Sequence, residues 1–137
     1  MTDSDLPITE RPPESYFESN SKEDLYASIQ KVYLADERPW VIGYSGGKDS
    51  TAAVQAVWNA VAALPIEDRK KKVYVISSDT YVETPVIVDH ITNNLELMNA
   101  AAITQGLPFE AQKVSPKVEE TFWVCLLGKG YPAPTTR

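Results

Sequence analysis

Residues 40–51 read WVIGYSGGKDST and set the architecture expected for the rest of the chain. The apolar run WVIGY, residues 40–44, is followed by a serine and two glycines, a pattern typical of a buried parallel strand and its loop. A helix is predicted to begin at Asp49 or Ser50, because apolar residues then recur at helical spacing. This apolar stripe consists of Val54, Val57, Trp58, Val61 and Leu64. A strand, a glycine-containing loop and a buried helix therefore follow one another directly.

The following sequence repeats this alternation of strand and helix. VYVIS, residues 73–77, predicts a second buried strand, and FEAQKV, residues 109–114, predicts a weaker third one. Between them, Thr84 before Pro85 is typical of a helix start, and Gly106 is typical of a helix end. The predicted inner face of this helix consists of Ile87, Ile91, Leu95, Met98 and Ala102.

Helices are also predicted at both ends of this series. Ser21 and Asp24 form a capping-box pattern at the start of a helix over 22–36, with Leu25, Ile29, Val32 and Tyr33 inward. A last helix is predicted from Ser115 to Gly128, with Val118, Phe122, Cys125 and Leu126 inward. The alternation predicts an α/β fold of Rossmann-like type, a parallel sheet with helices on both faces.

Composition and charge narrow the class of protein. The chain has 137 residues and a net charge of −6, and residues 1–37 hold nine acidic but only three basic residues. The remainder is neutral, so the basic face usual in nucleic-acid-binding domains is not evident. The single cysteine, Cys125, excludes an internal disulfide and a self-contained iron–sulfur cluster. No apolar run approaches the roughly 20 residues that cross a bilayer, and we expect a cytoplasmic protein without membrane contact.

The domain organisation is predicted from the same pattern. Residues 1–20 are acidic, contain three prolines and show no periodicity, so we expect a disordered leader. Residues 21–137 are predicted to be one domain. Three strands make a thin sheet, and the sequence closes with loop-like residues GKGYPAPTTR, 128–137. We therefore expect an incomplete sheet, the N-terminal part of a larger α/β domain.

The loop YSGGKDST, residues 44–51, carries the chemistry. In open α/β sheets, ligands bind beyond the carboxyl ends of the strands, and a helix N-terminus there attracts anions. Gly46 and Gly47 allow the backbone to fold around a phosphate. The predicted contacts of a nucleotide are Tyr44, Ser45, Gly46, Gly47, Lys48, Asp49, Ser50 and Thr51. Lys48 would supply positive charge, and Asp49 would hold Mg²⁺ between itself and the phosphates.

Two other phosphate-binding motifs do not fit this loop. A Walker A loop has four residues between its glycines, whereas Gly43 and Gly47 are separated by three, and Asp49 stands where a hydroxyl is needed. The dinucleotide pattern G-x-G-x-x-G is absent from the sequence. A serine-glycine turn that only caps a helix is the simplest structural reading, but such turns do not require lysine and aspartate in this order.

SGGKDST resembles the SGGxDS loop of the PP-loop ATP pyrophosphatases, a group that includes sulfonucleotide reductases, tRNA thiolases and ATP-dependent amidotransferases. The segments SSDTYVETP, residues 77–85, and FWVCLLGKGYPAP, residues 122–134, narrow the resemblance. Together they resemble the DndC-type sulfurtransferase of DNA phosphorothioation systems, within the phosphoadenosine phosphosulfate reductase family. The likeness extends from about residue 24 to the end and implies an adenine nucleotide alpha hydrolase-like fold.

The resemblance implies a reaction and its partners. ATP and Mg²⁺ would bind over 45–51, a DNA phosphate would attack the α-phosphorus, and pyrophosphate would leave. A cysteine desulfurase-type donor and other phosphorothioation proteins would supply sulfur as a persulfide. Ser78, Asp79 and Thr80 would lie near the nucleotide, and Lys129 would contact the substrate. The family's further cysteines lie beyond the matched region, so an iron–sulfur cluster is expected only in a longer parent protein.

Alternatives remain open from the residues alone. The chain could be a sulfonucleotide reductase or a tRNA thiolase, or a truncated nucleotide-binding fragment without turnover. Asp79–Thr80 could be a simple turn, and Cys125 a buried structural thiol. We interpret His90 as a solvated surface residue and the basic run RKKK, residues 69–72, as a solvated loop.

Overall fold

The computed structural model describes residues 15–130, which contain three long helices and three strands. These elements are α1 (Lys22–Leu34), β1 (Trp40–Gly43), α2 (Lys48–Ala62), β2 (Val73–Ser78), α3 (Pro85–Gln105) and β3 (Phe109–Val114). Of the predicted leader, residues 15–20 are described, and Tyr16–Glu18 form a 3-10 turn. In this part of the chain, no helix combines the length and the apolar character needed to span a membrane.

The three strands form one parallel sheet in the order β1-β2-β3. At its amino edge, Val73 of β2 pairs with Trp40 of β1 on one side and with Phe109 of β3 on the other. All three strands therefore end at the same edge, and the loops after β1 and β2 leave the sheet side by side. The prediction of an α/β fold with a parallel sheet is confirmed.

The hydrophobic core lies on one face of the sheet. Val73 and Val75 of β2 are fully buried beneath α1, α2 and α3. The core cluster consists of Tyr33, Tyr44, Val54, Val61, Leu64, Val73, Val75, Leu95, Ala102, Leu107, Phe109 and Ala111. Side chains alternate between faces along a strand, so Val41 and Tyr74 point the other way. Val41 is 65% exposed and Tyr74 is half-buried.

The prediction of helices on both faces is therefore wrong for residues 15–130. The crossovers from β1 to β2 and from β2 to β3 run in the same direction across the sheet. Crossovers of one hand that advance in one direction place their helices on the same face. α1 joins that layer, because it packs against α2 and its Tyr33 ring contacts Trp40 edge-to-face, with the ring centroids 5.5 Å apart.

Helix ends follow the predicted signals. Asp24 N–H donates to Ser21 Oγ, and Ser21 N–H donates to the Asp24 carboxylate, which completes the capping box and lowers the pKa of Asp24. Gly106 ends α3 in the left-handed conformation. Ile87, predicted inward, is exposed. The reason is length, since α3 extends roughly 31 Å and β2 only roughly 20 Å, so the first turn of α3 projects beyond the sheet.

The predicted last helix does not form as expected. A 3-10 turn covers Val118–Glu120, and a separate π-helical segment covers Val124–Lys129. Thr121 separates them in an extended conformation, and its hydroxyl donates to the Val118 carbonyl, 2.8 Å away. Such a bond competes with helical pairing. Cys125 is buried as predicted, whereas Val118 and Leu126 are exposed.

The basic run 69–72 is solvated only in part, which corrects the sequence interpretation: Lys70 and Lys72 are exposed, whereas Lys71 is buried and Arg69 is half-buried. Arg69 donates to the carbonyls of Ala62, Leu64 and Gln105, and so caps the C-terminal ends of α2 and α3 together. The Lys71 side chain is 3% exposed, and its ammonium lies 2.8 Å from the Asp36 carboxylate. The same ammonium lies 4.9 Å from the centre of the Trp40 ring, a cation–π distance.

The Asp36–Lys71 pair predicts a specific acid dependence of stability. Hydrogen bonds from Lys71 and Arg38 lower the pKa of Asp36 from 3.8 to about 2. Because the folded pKa lies below the unfolded one, the stabilisation is complete above about pH 4 and disappears as the pH falls toward 2. We expect Asp36→Asn to lower the free energy of unfolding at neutral pH and to remove this acid-dependent part, measured by urea unfolding across the pH range.

Glu37→Gln is the control, since Glu37 is exposed and forms no ion pair within residues 15–130. It should retain the wild-type acid dependence. A wild-type slope in Asp36→Asn would show that the pair contributes nothing to folding.

Candidate functional site

The loop between β1 and α2 leaves the carboxyl edge of the sheet and turns directly into a helix. Tyr44 N–H still donates to the Ile76 carbonyl, 2.9 Å away, so the loop begins on the sheet itself. Gly46 has φ +80°, a left-handed backbone conformation that residues other than glycine rarely adopt. Gly47 is the N-cap of α2 and supplies no capping side chain. The first turn of α2 therefore offers backbone N–H donors and a positive dipole end at this edge.

The hydroxyl groups of the loop bond mainly to the loop itself. Ser45 Oγ and Ser50 Oγ lie 3.0 Å apart, and Ser45 N–H also donates to Ser50 Oγ. Thr51 Oγ1 donates to the Gly47 carbonyl, 2.6 Å away. The hydroxyl proton of Thr51 is thus already used, while Ser45 and Ser50 retain acceptor capacity. These hydroxyls hold the shape of the loop in addition to any contact with a ligand.

Lys48 and Asp49 occupy the first two positions of α2 and are both exposed. The lysine brings a flexible positive charge to a helix end that already favours anions. The aspartate is the one carboxylate of the loop 44–51 and lies in the first turn, where negative charge is favourable. Residues 15–130 contain no group of three or more His, Cys, Asp or Glu side chains arranged for a metal. If Mg²⁺ binds at this loop, Asp49 is the carboxylate of 44–51 that would hold it, together with phosphate oxygens and water.

The second predicted segment lies at the same edge, after β2. Ser78 is exposed, and Asp79 N–H donates to the Val114 carbonyl of β3. The Asp79 carboxylate accepts from Tyr81 N–H, 2.9 Å away, and lies 3.8 Å from the Lys113 ammonium. Thr80 Oγ1 is buried without a hydrogen-bond partner among the described residues. Asp79 is therefore a structural support of this turn, and Thr80 holds an unused hydroxyl beside it.

Three residues of α3 lie against the loop, and the sequence analysis did not predict these contacts: His90, Ile91 and Asn94. The Tyr44 hydroxyl, on a side chain that is almost fully buried, accepts a hydrogen bond from Asn94 Nδ2, 2.9 Å away. Asn94 Nδ2 also lies 3.2 Å from His90 Nε2. A Cβ atom on Gly46 would lie 3.1 Å from Ile91 Cγ1. His90 is exposed, as predicted, and its ring lies beside Gly46 of the loop.

A sequence signal for these contacts exists in hindsight. His90 and Asn94 are four residues apart and so share one helix face. Asn94 also interrupts the apolar face of α3 next to Leu95, where an aliphatic residue is expected. A polar residue on an inner helix face indicates a buried polar partner, because an unpaired one is costly. The sequence alone does not identify Tyr44 as that partner.

The last described segment lies beside the turn after β2. Trp123 Nε1 donates to the Tyr81 carbonyl, 3.2 Å away, which brings the segment to the carboxyl edge. Cys125 is buried with its Sγ directed at the Glu119 carbonyl, so it is a structural thiol. Lys129 Nζ donates to the same carbonyl, 2.8 Å away. Its predicted contact with a substrate stays a prediction. Residues 131–134 of the GKGYPAP stretch lie outside the described residues.

A separate cavity of about 410 Å³ lies at the opposite, amino edge of the sheet. Its lining residues include Asp36, Glu67, Lys70 and Lys71. The buried charge in it is already paired, since Lys71 binds Asp36. It contains none of the residues of 44–51, and the chemistry of the loop does not extend to it.

No protein-family model, curated protein or solved structure matches this chain. Support for a function therefore comes from the residue pattern of 44–51 and from the geometry of the carboxyl edge. The strongest features of that geometry are the uncapped start of α2 and the left-handed Gly46.

Gly46→Ala tests whether this loop shape is required. A methyl group there meets Ile91 at 3.1 Å and forces a residue with a side chain into φ +80°. We expect a loss of about 1–2 kcal/mol in the free energy of unfolding, measured with urea. Gly43→Ala is the control, because a Cβ at Gly43 meets nothing within 4 Å. Equal effects of the two substitutions would contradict the tight approach of Gly46 to α3.

Proposed function

We propose that this chain is an ATP-binding PP-loop domain that cleaves ATP to AMP and pyrophosphate. The observation that carries the proposal is the uncapped N-terminus of α2, reached through left-handed Gly46, at the carboxyl edge of a parallel sheet. Backbone donors, Lys48 and Asp49 converge there, and this combination suits a phosphate chain with a divalent cation. The sequence SGGKDST in the same loop resembles the PP-loop motif.

The start of α2, Lys48 and Asp49 have separate roles in this proposal. The N–H groups of the first turn of α2 bind the phosphate oxygens, and Lys48 neutralises the charge of the departing pyrophosphate. Asp49 orients Mg²⁺, which when bound withdraws charge from the phosphates. In this proposal, Ser78 and Thr80, on the turn after β2 at the same edge, belong to the nucleoside side of the site.

The bond changes of the first step follow from this arrangement. A phosphate oxygen of the substrate attacks the α-phosphorus, and the bond from that phosphorus to the bridging oxygen breaks. Pyrophosphate leaves with the electron pair, and the substrate phosphate becomes joined to AMP. The chain positions the two groups and stabilises negative charge on the leaving oxygen.

The proposed substrate is the phosphate backbone of DNA, which the adenylation prepares for sulfur transfer in phosphorothioation. This part rests on the resemblance of 77–85 and 122–134 to the DndC-type sulfurtransferase. A persulfide from a cysteine desulfurase-type protein is the proposed source of sulfur. Because Cys125 is buried, this chain offers no exposed thiol among residues 15–130 for that step.

One observation bears on the alternative of a sulfonucleotide reductase. Such an enzyme requires a redox-active cysteine, which must be accessible to react. Cys125 is 1% exposed and packed in the π-helical segment. A reductase would therefore need its redox cysteine outside residues 15–130, and this alternative stays open.

Nucleotide binding is tested first by thermal unfolding with and without MgATP. We expect the melting temperature to rise by several degrees, since a ligand at about 100 times its Kd adds about 2.7 kcal/mol of stability. Lys48→Ala should remove most of this rise, because it removes the cation of the loop. Lys70→Ala is the control, an exposed lysine at the amino-edge cavity. A rise lost in Lys70→Ala and kept in Lys48→Ala would assign the nucleotide to that cavity instead.

Turnover is tested by separating the adenine nucleotides formed from ATP by anion-exchange chromatography. With duplex DNA as the phosphate-bearing nucleophile, we expect pyrophosphate and DNA-linked AMP in equal amounts, and free AMP only when hydrolysis or sulfur transfer breaks that link. Asp49→Ala should give about 100-fold less of both products. The variant should melt like the natural chain, since Asp49 is exposed and makes no hydrogen bond or ion pair among residues 15–130. Formation of ADP and phosphate would contradict the pyrophosphatase chemistry. Binding without turnover would favour a nucleotide-binding fragment.

A further inference from the structure

The phosphate-binding loop is joined to α3 by a short chain of side-chain contacts. Asn94 stands at its centre, with its Nδ2 group 2.9 Å from the Tyr44 hydroxyl and 3.2 Å from His90 Nε2. An amide nitrogen carries two hydrogens, so it can donate to both partners at once. Tyr44 is 4% exposed and is the last residue before the serine-glycine turn. This contact therefore fixes the point from which the loop departs.

The backbone of the loop also lies against the same helix. The position of a Cβ on Gly46 is 3.1 Å from Ile91 Cγ1 and 3.9 Å from His90 Cδ2. Ile91 and Asn94 are three residues apart, so they share one face of α3. That face touches the loop at two places, the Tyr44 hydroxyl and the Gly46 backbone.

We propose that Asn94 is a positioning residue which, through Tyr44 and with His90 beside it, holds the loop 44–51 in the shape that binds phosphate. This inference deepens the proposed function and rests on it, because it assigns to α3 the control of affinity at that site. Asn94 does not touch the ligand. It acts by keeping the left-handed turn at Gly46 and the first N–H groups of α2 in place before the ligand arrives, which lowers the ordering cost of binding.

An asparagine that only holds α3 against the sheet makes contacts of another kind. Asn99, on the same helix, exchanges two hydrogen bonds with the backbone of Ala111 in β3, at 2.8 and 3.0 Å. Those bonds join α3 to the sheet, and neither reaches the loop. Asn99→Leu therefore removes a different asparagine contact from the same helix and provides the matched control.

The experiment compares Asn94→Leu, Tyr44→Phe, their double variant and Asn99→Leu in the full chain. Two quantities are measured on each: the Kd for MgATP by calorimetry, and the hydrogen–deuterium exchange of the amides in 44–51 without ligand. Exchange of the β2 amides reports global stability in the same samples. Tyr44→Phe removes only the hydroxyl, so it tests the same contact if Asn94→Leu does not fold.

A positioning role predicts a particular pattern. Asn94→Leu and Tyr44→Phe should each weaken MgATP binding about fivefold, the loss of one hydrogen bond. Each should speed exchange in 44–51 while the β2 amides keep their relative protection. The double variant should resemble Asn94→Leu, since Tyr44→Phe removes only a contact that Asn94→Leu has already removed. Asn99→Leu should lower overall protection without changing the Kd.

The two proposals fail in different ways. If the natural chain does not bind MgATP, the proposed function is wrong, and the exchange data still decide whether Asn94 holds the loop. If the natural chain binds MgATP but Asn94→Leu and Tyr44→Phe leave both the Kd and the loop exchange unchanged, the positioning role is wrong. Fully additive effects of the two substitutions would also overturn it.

Discussion

The parallel pairing of β2 with a strand on each side is the constraint on which the rest of the structure depends. Val73 and Val75 are fully buried, and the three helices pack over them on one face of the sheet. The pairing also aligns the carboxyl ends of β1 and β2, so the loop 44–51 and the turn 78–81 emerge at one edge. Without this alignment, the N-terminus of α2 and the polar turn after β2 would not lie at one edge of the sheet, where ligands bind in open α/β sheets.

The two edges of the sheet have different polar chemistry. At the amino edge, charged groups are already satisfied, since Lys71 binds Asp36 and Arg69 caps two helix ends at once. At the carboxyl edge, polar capacity remains open, because α2 has no side-chain cap and the Thr80 hydroxyl has no partner among the described residues. Buried polar groups are normally paired, so the Thr80 hydroxyl is unusual, whereas the first N–H groups of α2 belong to exposed residues. The amino edge stabilises the fold, and the carboxyl edge is the candidate functional site.

The loop 44–51 is itself a composite of local and distant contacts. Its serine and threonine hydroxyls bond within the loop, where the partners are at most five residues apart. Its anchor on α3 is distant, since Asn94 and Tyr44 are fifty residues apart in the chain. A loop of this type needs both, because local bonds give it shape and the tertiary contact fixes its orientation relative to the sheet. Asp79 likewise makes one local and one distant contact. Its carboxylate accepts from Tyr81 N–H within the turn, and its own N–H donates to the Val114 carbonyl of β3.

The sequence by itself determined the features that depend on near neighbours. Periodicity and capping residues predicted all three strands and the three long helices to within a few residues, and the order of glycine, lysine and aspartate identified the loop 44–51. Tertiary structure alone decided the open sheet face, the burial of Lys71 and the contact of Asn94 with Tyr44. It also decided where the last segment lies, since Trp123 donates to the Tyr81 carbonyl, which is 42 residues away in the chain. The physical reason is range: helix and strand signals act over a few residues, whereas these contacts depend on how α3 and the last segment pack across the sheet.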